Sequence, residues 1–317
     1  MKDLAASTAN IGKFRDRHVT VGGQVRAHVA LTRPHTLWFN TGTLCNIACA
    51  NCYVDSSPTN DALAYISADE VADYLDDAAA RGWPLAEIGF TGGEPFMNPD
   101  IIAMTANALD RGHRVLILTN AMRPMMRPRV QAGLRALQAD HGDRLTLRVS
   151  LDHHRAEVHD RERGTGSFAA TLAGMEWLRD QGIAMAVAGR TVWNEPEALA
   201  RSGYAALFAR HGFAIDALDP ARTVLFPEID ENVEVPEITT SCWDILGKSP
   251  DSVMCASSRM VVKRRGAARP VVVACTLLPF DPEFELGATL AEAEGAVHLN
   301  HPHCARFCVL GGASCSG

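Results

Sequence analysis

The chain has 317 residues, of which 47% are hydrophobic and 21% charged, the balance of an ordinary globular protein rather than a disordered, collagenous or coiled-coil chain. Thirty Lys and Arg against 37 Asp and Glu give a net charge of −7, so no basic face is forced and nucleic acid is not an expected partner. The longest apolar runs, Val115–Leu118 and Val271–Cys275, fall far short of the ~20 residues of a membrane span, and the first residues lack the apolar core of a signal peptide.

Strands and helices alternate along most of the chain. A short strand at Thr36–Asn40 leads into a cysteine-rich loop. Ser67 and Glu70 form a capping box ahead of Val71, Tyr74, Leu75 and Ala78, which recur at helical spacing. A strand follows at Ala86–Phe90. Asn98-Pro99 reads as the start of a helix ending at Arg111-Gly112. Arg114–Thr119 reads as a buried strand, and Val130, Leu134 and Leu137 mark a helix over 129–139. Further strands are expected at Leu145–Leu151, Ile183–Val192 and Phe213–Leu218, with helices at Ser167–Gln181 and Glu197–Arg210 between them. Six strands at ~30-residue spacing are βαβ repeats, which imply a parallel sheet with helices outside. Periodicity does not distinguish an open sheet from an incomplete barrel. Beyond Leu218 the alternation stops. Met260–Arg264 and Pro270–Cys275 then read as a β-hairpin. The expected organisation is an N-terminal extension (1–35), a core (36–230) and a small cysteine-rich module (231–317).

A cytoplasmic location is expected, where thiols stay reduced, so nine cysteines point to metal or redox chemistry rather than disulfides. Cys45, Cys49 and Cys52 lie within eight residues, with no fourth ligand nearby. Structural zinc sites and four-iron clusters both normally take four ligands. Three thiolates leave one iron of a cluster open to a small chelating ligand. A zinc site completed from a distance is the alternative that spacing leaves standing.

The motifs CNIACANC at 45–52, TGGEP at 91–95 and SLDHHRAEVHDRERGTGSF at 150–168 resemble those of the radical S-adenosylmethionine (radical SAM) enzymes. The resemblance covers about 36–218, and each motif follows an expected strand. It implies a partial (β/α)6 TIM-like barrel within the α/β class. It also implies a [4Fe-4S] cluster on Cys45, Cys49 and Cys52 whose open iron chelates SAM. Reductive cleavage of SAM would give a 5′-deoxyadenosyl radical that takes a hydrogen atom from substrate. By the same resemblance, Gly92, Gly93 and Glu94 meet the SAM ammonium, while Ser150 and Arg163 hold its carboxylate, with Arg161 the rival. Asp152 orients the loop, and Asn120, Thr191 and Asn194 rim the pocket. Asn51 stands where the family usually carries an aromatic residue. Tyr53 follows instead and is taken as a cofactor contact. His153, His154 and Arg190 are further candidates for facing substrate.

Six cysteines remain, among them Cys242, the weakest candidate ligand. Their order around a hairpin resembles the auxiliary-cluster modules of the family, of the twitch kind more than the full SPASM kind. This implies one auxiliary [4Fe-4S] cluster on Cys255, Cys275, Cys304 and Cys308, with Cys315 as substitute, serving as electron acceptor or substrate anchor. Zinc on four of these thiolates is the competing reading. Flavodoxin or ferredoxin is the expected electron donor. A small-molecule substrate is favoured over a peptide, because only about 35 residues precede the barrel, too few for a leader-binding domain. A peptide-modifying (RiPP) maturase is the runner-up, and a noncatalytic zinc-binding interaction protein the rival from another class.

Overall fold

A computed structural model describes residues 12–191, 195–227 and 233–311. In chain order the elements are β1 (His28–Val29), β2 (Thr36–Asn40), α1 (Ala68–Ala80), β3 (Glu87–Thr91), α2 (Ile101–Asp110), β4 (Arg114–Thr119), α3 (Pro128–His141) and β5 (Leu145–Ser150). They continue with α4 (Ala156–Arg163), α5 (Ser167–Asp180), β6 (Ala184–Thr191), α6 (Glu197–His211), β7 (Thr223–Pro227) and α7 (Cys242–Leu246). The chain then forms β8 (Ser258–Val262), β9 (Val271–Val273), β10 (Glu285–Gly287) and β11 (Val297–His298). Among the described residues, no helix is long and apolar enough to cross a membrane.

Strands β2 to β7 lie side by side in sequence order and pair in parallel, each joined to the next through a helical crossover. This is the partial (β/α)6 barrel. Alternation along the strands sets its two cores. Leu37, Phe39, Ile88, Phe90, Ile117 and Leu147 face the helices. Trp38, Leu116, Met260, Val262 and Val273 fill the barrel interior. Trp38 is fully buried, and a Cβ on Gly89 would lie 2.3 Å from its ring, so the neighbouring strand is glycine where the indole needs the space.

The helix entrances follow the local chemistry. Ser67 accepts from the backbone N–H of Glu70 at 3.2 Å, and Glu70 accepts from Ser67 N–H at 2.9 Å, closing the capping box of α1. The second helix starts at Ile101, two residues beyond the expected Pro99, and buried Asn98 makes its turn bond just ahead of it, its Oδ1 accepting from Asp100 N–H at 2.9 Å. Its amide donates to Thr41 O (3.1 Å) and Ile66 O (2.9 Å), pinning the loop after β2 to the entrance of α1.

The strand expected at Phe213–Leu218 is irregular, and the sixth barrel strand is β7 instead. Phe213, Ile215 and Ala217 are buried at alternate positions, which gives the sequence its strand-like look. The backbone there is committed to turns: Asp216 accepts from Leu218 N–H and Asp219 accepts from Ala221 N–H, each at 2.8 Å.

After β7 the chain returns to the same sheet. β8 pairs in parallel with β2 on the side opposite β3, and β9 and β10 follow antiparallel. The cysteine hairpin thus extends the barrel sheet past β2. The N-terminal residues join the same region: β1 pairs with β11, and Arg26 forms an ion pair with Glu237 at 2.6 Å, their side chains 0% and 6% exposed. Removing one partner of such a pair strands the other charge, at a cost of about 3–5 kcal/mol. Arg26→Met is therefore expected to destabilise the full chain by about that amount in urea unfolding. A loss below about 1 kcal/mol would contradict the role given to this pair.

Candidate active site

The loop after β2 carries the first three cysteines and is held at close quarters by the loop after β3. Gly93 N–H donates to Gly42 O at 2.8 Å, and Glu94 N–H donates to Leu44 O at 3.1 Å. A Cβ on Gly92 would come within 2.5 Å of Gly42 O, and one on Gly93 within 2.3 Å of Leu44 O. The first close approach that these glycines permit is thus between two backbones, one of which carries the cysteines. Gly92 adds a φ of +144°, a conformation suited to glycine.

Cys45 is buried beside Asn120, whose amide contacts its sulfur at 3.8 Å and Asn46 Oδ1 at 2.9 Å. Burial pushes the Cys45 thiol up to about 12, and negative charge on Glu94, Cys49 and Cys52 adds to the shift. Burial also raises Cys49, opposed by the nearby Arg163 and Arg190. Three thiols within electrostatic reach of one another, crowded and desolvated, stay neutral when left to themselves. As thiolates they need a cation, and a metal centre supplies one.

The three cysteines, Tyr53, Gly92, Gly93, Asn120, Ser150 and Arg163 all line one cavity of about 100 Å³. Asn40, Thr119, Arg190 and Thr276 line it too. A second cavity of about 50 Å³ shares Tyr53, Ser150, Arg163 and Arg190 with the first, and reaches Phe226, Leu277 and Phe307. The donor set of three thiols fits a four-iron cluster with one iron left open.

Glu94 lies behind this cavity wall, 2% exposed. Its carboxylate accepts from Thr119 Oγ1 (2.8 Å), Asn120 N–H (2.8 Å) and Phe96 N–H (3.2 Å). A carboxylate has about four acceptor positions, so room remains for one more donor such as an ammonium. Burial dominates the opposing hydrogen bonds and lifts Glu94 to about 7.

Asp152, 3% exposed, takes a bidentate pair from Arg163, with Nε at 2.9 Å and Nη2 at 3.0 Å. Arg190 approaches the same carboxylate at 3.6 Å and donates to Asn51 O at 2.8 Å. Burial alone would raise the Asp152 carboxyl, but the two guanidiniums outweigh it and hold it below its usual range. Two cations on one carboxylate leave a positive balance at the cavity, suited to an anionic group. Arg161 is exposed and is absent from both linings, so the geometry brings Arg163 and not its rival to the site.

Other expected residues are placed differently. Thr191 lies outside both linings, with its hydroxyl 3.4 Å from Phe226 O. Asn194 and Cys315 lie outside the described residues. Asn51 turns its amide to Glu162 Oε2 at 2.9 Å, leaving the aromatic position of the lining to Tyr53. His153 pairs with Glu195 at 2.7 Å and lies 4.1 Å from the His154 ring, and neither lines these two cavities. Thr276 and Phe307 were not expected. The signal was their position next to Cys275 and Cys308.

The second cysteine group also converges. Cys304 is buried and its thiol is pushed up by burial first, then by Cys275, Cys308 and Cys255. Cys304 and Cys308 sit one turn apart on a π-helical segment, Cys304–Leu310. Cys242 directs its sulfur to Thr239 instead, 3.3 Å from both N–H and hydroxyl.

A barrel whose strand ends gather three thiols around an open cavity defines an enzyme class built on a bound metal centre. Residues 39–194 match the model of the radical SAM superfamily. The chain is 33% identical over 153 residues to an AdoMet-dependent heme synthase of Methanosarcina barkeri, a match covering 48% of this chain and 41% of that protein. It is 34% identical over 154 residues to the antilisterial bacteriocin subtilosin biosynthesis protein AlbA of Bacillus subtilis, covering 47% of this chain and 32% of that one. The matched segment thus spans less than half the length of these relatives. Among solved structures, Streptococcus suis SuiB bound to S-adenosylmethionine aligns with a TM-score of 0.58 at 11% identity, covering 81% of this chain and 64% of that one. The AdoMet-bound anSMEcpe aligns with a TM-score of 0.57 at 14% identity, covering 82% and 80%. Residues 39–194 form a radical SAM domain, and that family implies a [4Fe-4S] cluster and SAM.

The Glu94 environment makes a pH prediction for the cluster-free chain. Its folded value of about 7 lies above the ordinary 4.5, so the folded chain binds this proton more tightly than the unfolded one. The stabilisation is full below the ordinary value and is lost as pH rises through about 7, amounting to about 3 kcal/mol. Glu94→Gln should flatten this slope in urea unfolding. A slope that persists in the variant would assign the effect elsewhere.

Proposed function

We propose that this chain binds SAM in the larger cavity and acts on a substrate held in the smaller one. The observation that carries the reading is that the cavity lined by Cys45, Cys49 and Cys52 shares Tyr53, Ser150, Arg163 and Arg190 with a second cavity, and that sequence neighbours of the second cysteine group line both. Thr276 adjoins Cys275 and lines the larger cavity, and Phe307 adjoins Cys308 and lines the smaller. Cys45, Cys49 and Cys52 would hold the catalytic cluster. That cluster and SAM together supply a primary-carbon radical able to abstract hydrogen.

This chain's own residues do the rest. Arg163, fixed by Asp152, offers its remaining donor capacity to the SAM carboxylate, and Ser150 at the end of β5 faces the same space. Glu94 accepts from the ammonium, whose charge would draw the carboxyl back towards its ionised form. Tyr53 offers an aromatic face to the adenine. Arg190, Phe226, Leu277 and Phe307 bound the smaller cavity and exclude water from it. Thr191 and Asn194 remain candidates for the rim.

Cys255, Cys275, Cys304 and Cys308 would hold an auxiliary [4Fe-4S] cluster, as electron acceptor or substrate anchor, with Cys315 the substitute ligand. Their mutual electrostatic influence supports this set. The smaller cavity is narrow, about 50 Å³, and a small substrate is favoured over a peptide there. The relatives' names include both a heme synthase and a bacteriocin biosynthesis protein. A flavodoxin or ferredoxin donor and a cytoplasmic location complete the proposal.

The test is direct. Replacing Cys45, Cys49 and Cys52 together with Ala should abolish reductive SAM cleavage, and retained cleavage would refute the cluster assignment. Arg163→Ala should weaken SAM binding by about 10- to 100-fold, the loss of a charge-assisted contact worth about 1.5–3 kcal/mol. Arg161→Ala should leave affinity unchanged in the same equilibrium titration. The reverse pattern would mean that the other arginine holds the carboxylate.

A further inference from the structure

The auxiliary-cluster reading, on which this inference rests, leaves one buried group to be accounted for. Arg259 on β8 is 1% exposed. Its guanidinium donates to four backbone carbonyls: Cys255 O at 2.6 Å, Ala293 O at 2.8 Å, Ser258 O at 2.8 Å and Gly295 O at 2.9 Å. Among the described residues, it forms no ion pair with a carboxylate. The other deeply placed arginines near function differ. Arg26 has Glu237, and Arg163 and Arg190 share Asp152.

Carbonyl dipoles satisfy the N–H donors of Arg259 but do not cancel its charge, and a guanidinium does not shed its proton. An isolated charge in the interior is strongly unfavourable unless an opposite charge lies nearby. The negative groups within its electrostatic reach are the sulfurs of Cys255 and Cys275. As free thiols these are neutral and leave the cation uncompensated. As ligands of a metal cluster they are thiolates, and the cluster they hold carries net negative charge. The cage of carbonyls from 255, 258, 293 and 295 holds the guanidinium in place, so its charge cannot swing out to water.

We propose that Arg259 is the built-in counter-charge of the C-terminal cluster and holds its reduction potential up. Reduction adds a further negative charge to the cluster. A fixed cation in a medium of low dielectric constant therefore favours the reduced state over the oxidised one. Arg259 reaches no substrate or SAM surface, and its role is to tune the centre rather than to react.

The experiment is an anaerobic spectroelectrochemical titration of the full chain. Cys45, Cys49 and Cys52 are replaced by Ala so that only the C-terminal centre responds. Arg259→Gln and Arg259→Met remove the charge, and Arg259→Lys keeps it. At equal iron and sulfide content, the neutral variants should shift the reduction equilibrium about tenfold or more towards the oxidised state. For a one-electron couple that is about 59 mV lower in midpoint. The lysine variant should stay close to the parent. Loss of the cluster in both neutral variants, with retention in the lysine variant, supports the same role for the charge. An unchanged midpoint in any neutral variant that keeps its cluster overturns the inference. So does loss of the cluster in all three variants, which would make Arg259 a tie for the 293–295 backbone only. A parent chain with no iron–sulfur centre at these cysteines instead defeats the auxiliary-cluster reading itself.

Discussion

The site depends on one backbone contact. The loop after β2 and the loop after β3 lie so close that Gly93 and Glu94 donate to carbonyls of Gly42 and Leu44. Neither Gly92 nor Gly93 has space for a Cβ there. This contact sets the height of the three-cysteine loop above the barrel. It also carries Glu94 inward, where Thr119 and Asn120 at the end of β4 capture its carboxylate. One pair of glycines thereby couples three adjacent strand ends: the thiols of the first, the acid of the second and the donors of the third.

Strand β2 is the common support for both cysteine groups. It pairs with β3 on one side and with β8 on the other. The first group follows β2 directly. The second is built around β8 and β9, with Cys255 just before one and Cys275 just after the other. A parallel ladder between them fixes the separation of the two cysteine groups. The charges follow the same plan. Asp152 restrains two arginines on the barrel side, while on the hairpin side Arg259 has no carboxylate partner among the described residues.

Much of this was legible in the sequence, for identifiable reasons. Buried parallel strands announce themselves as apolar runs, as in Arg114–Thr119, and the Ser67–Glu70 capping box has few other uses. Thiols at tight spacing in a chain without disulfides point to metal chemistry. What escaped was tertiary. Phe213, Ile215 and Ala217 alternate like a strand, but Asp216 and Asp219 divert the backbone into turns. Asn98 looked like a helix cap because its two long-range carbonyl partners, Thr41 and Ile66, have no local signature. The parallel pairing of β8 with β2 links residues more than 200 positions apart, and nothing in either segment names the other. Arg259 is one arginine in an apolar strand until the fold shows it buried, with no carboxylate partner among the described residues.

The most direct measurement is the metal and sulfide content of the anaerobically reconstituted full chain, taken with and without the Cys304→Ala substitution. Two four-iron centres predict about eight irons and eight labile sulfides per chain, falling by about half in the variant while reductive SAM cleavage at the first centre persists. Zinc at the C-terminal cysteines with no labile sulfide there, or iron content indifferent to Cys304, would contradict the account.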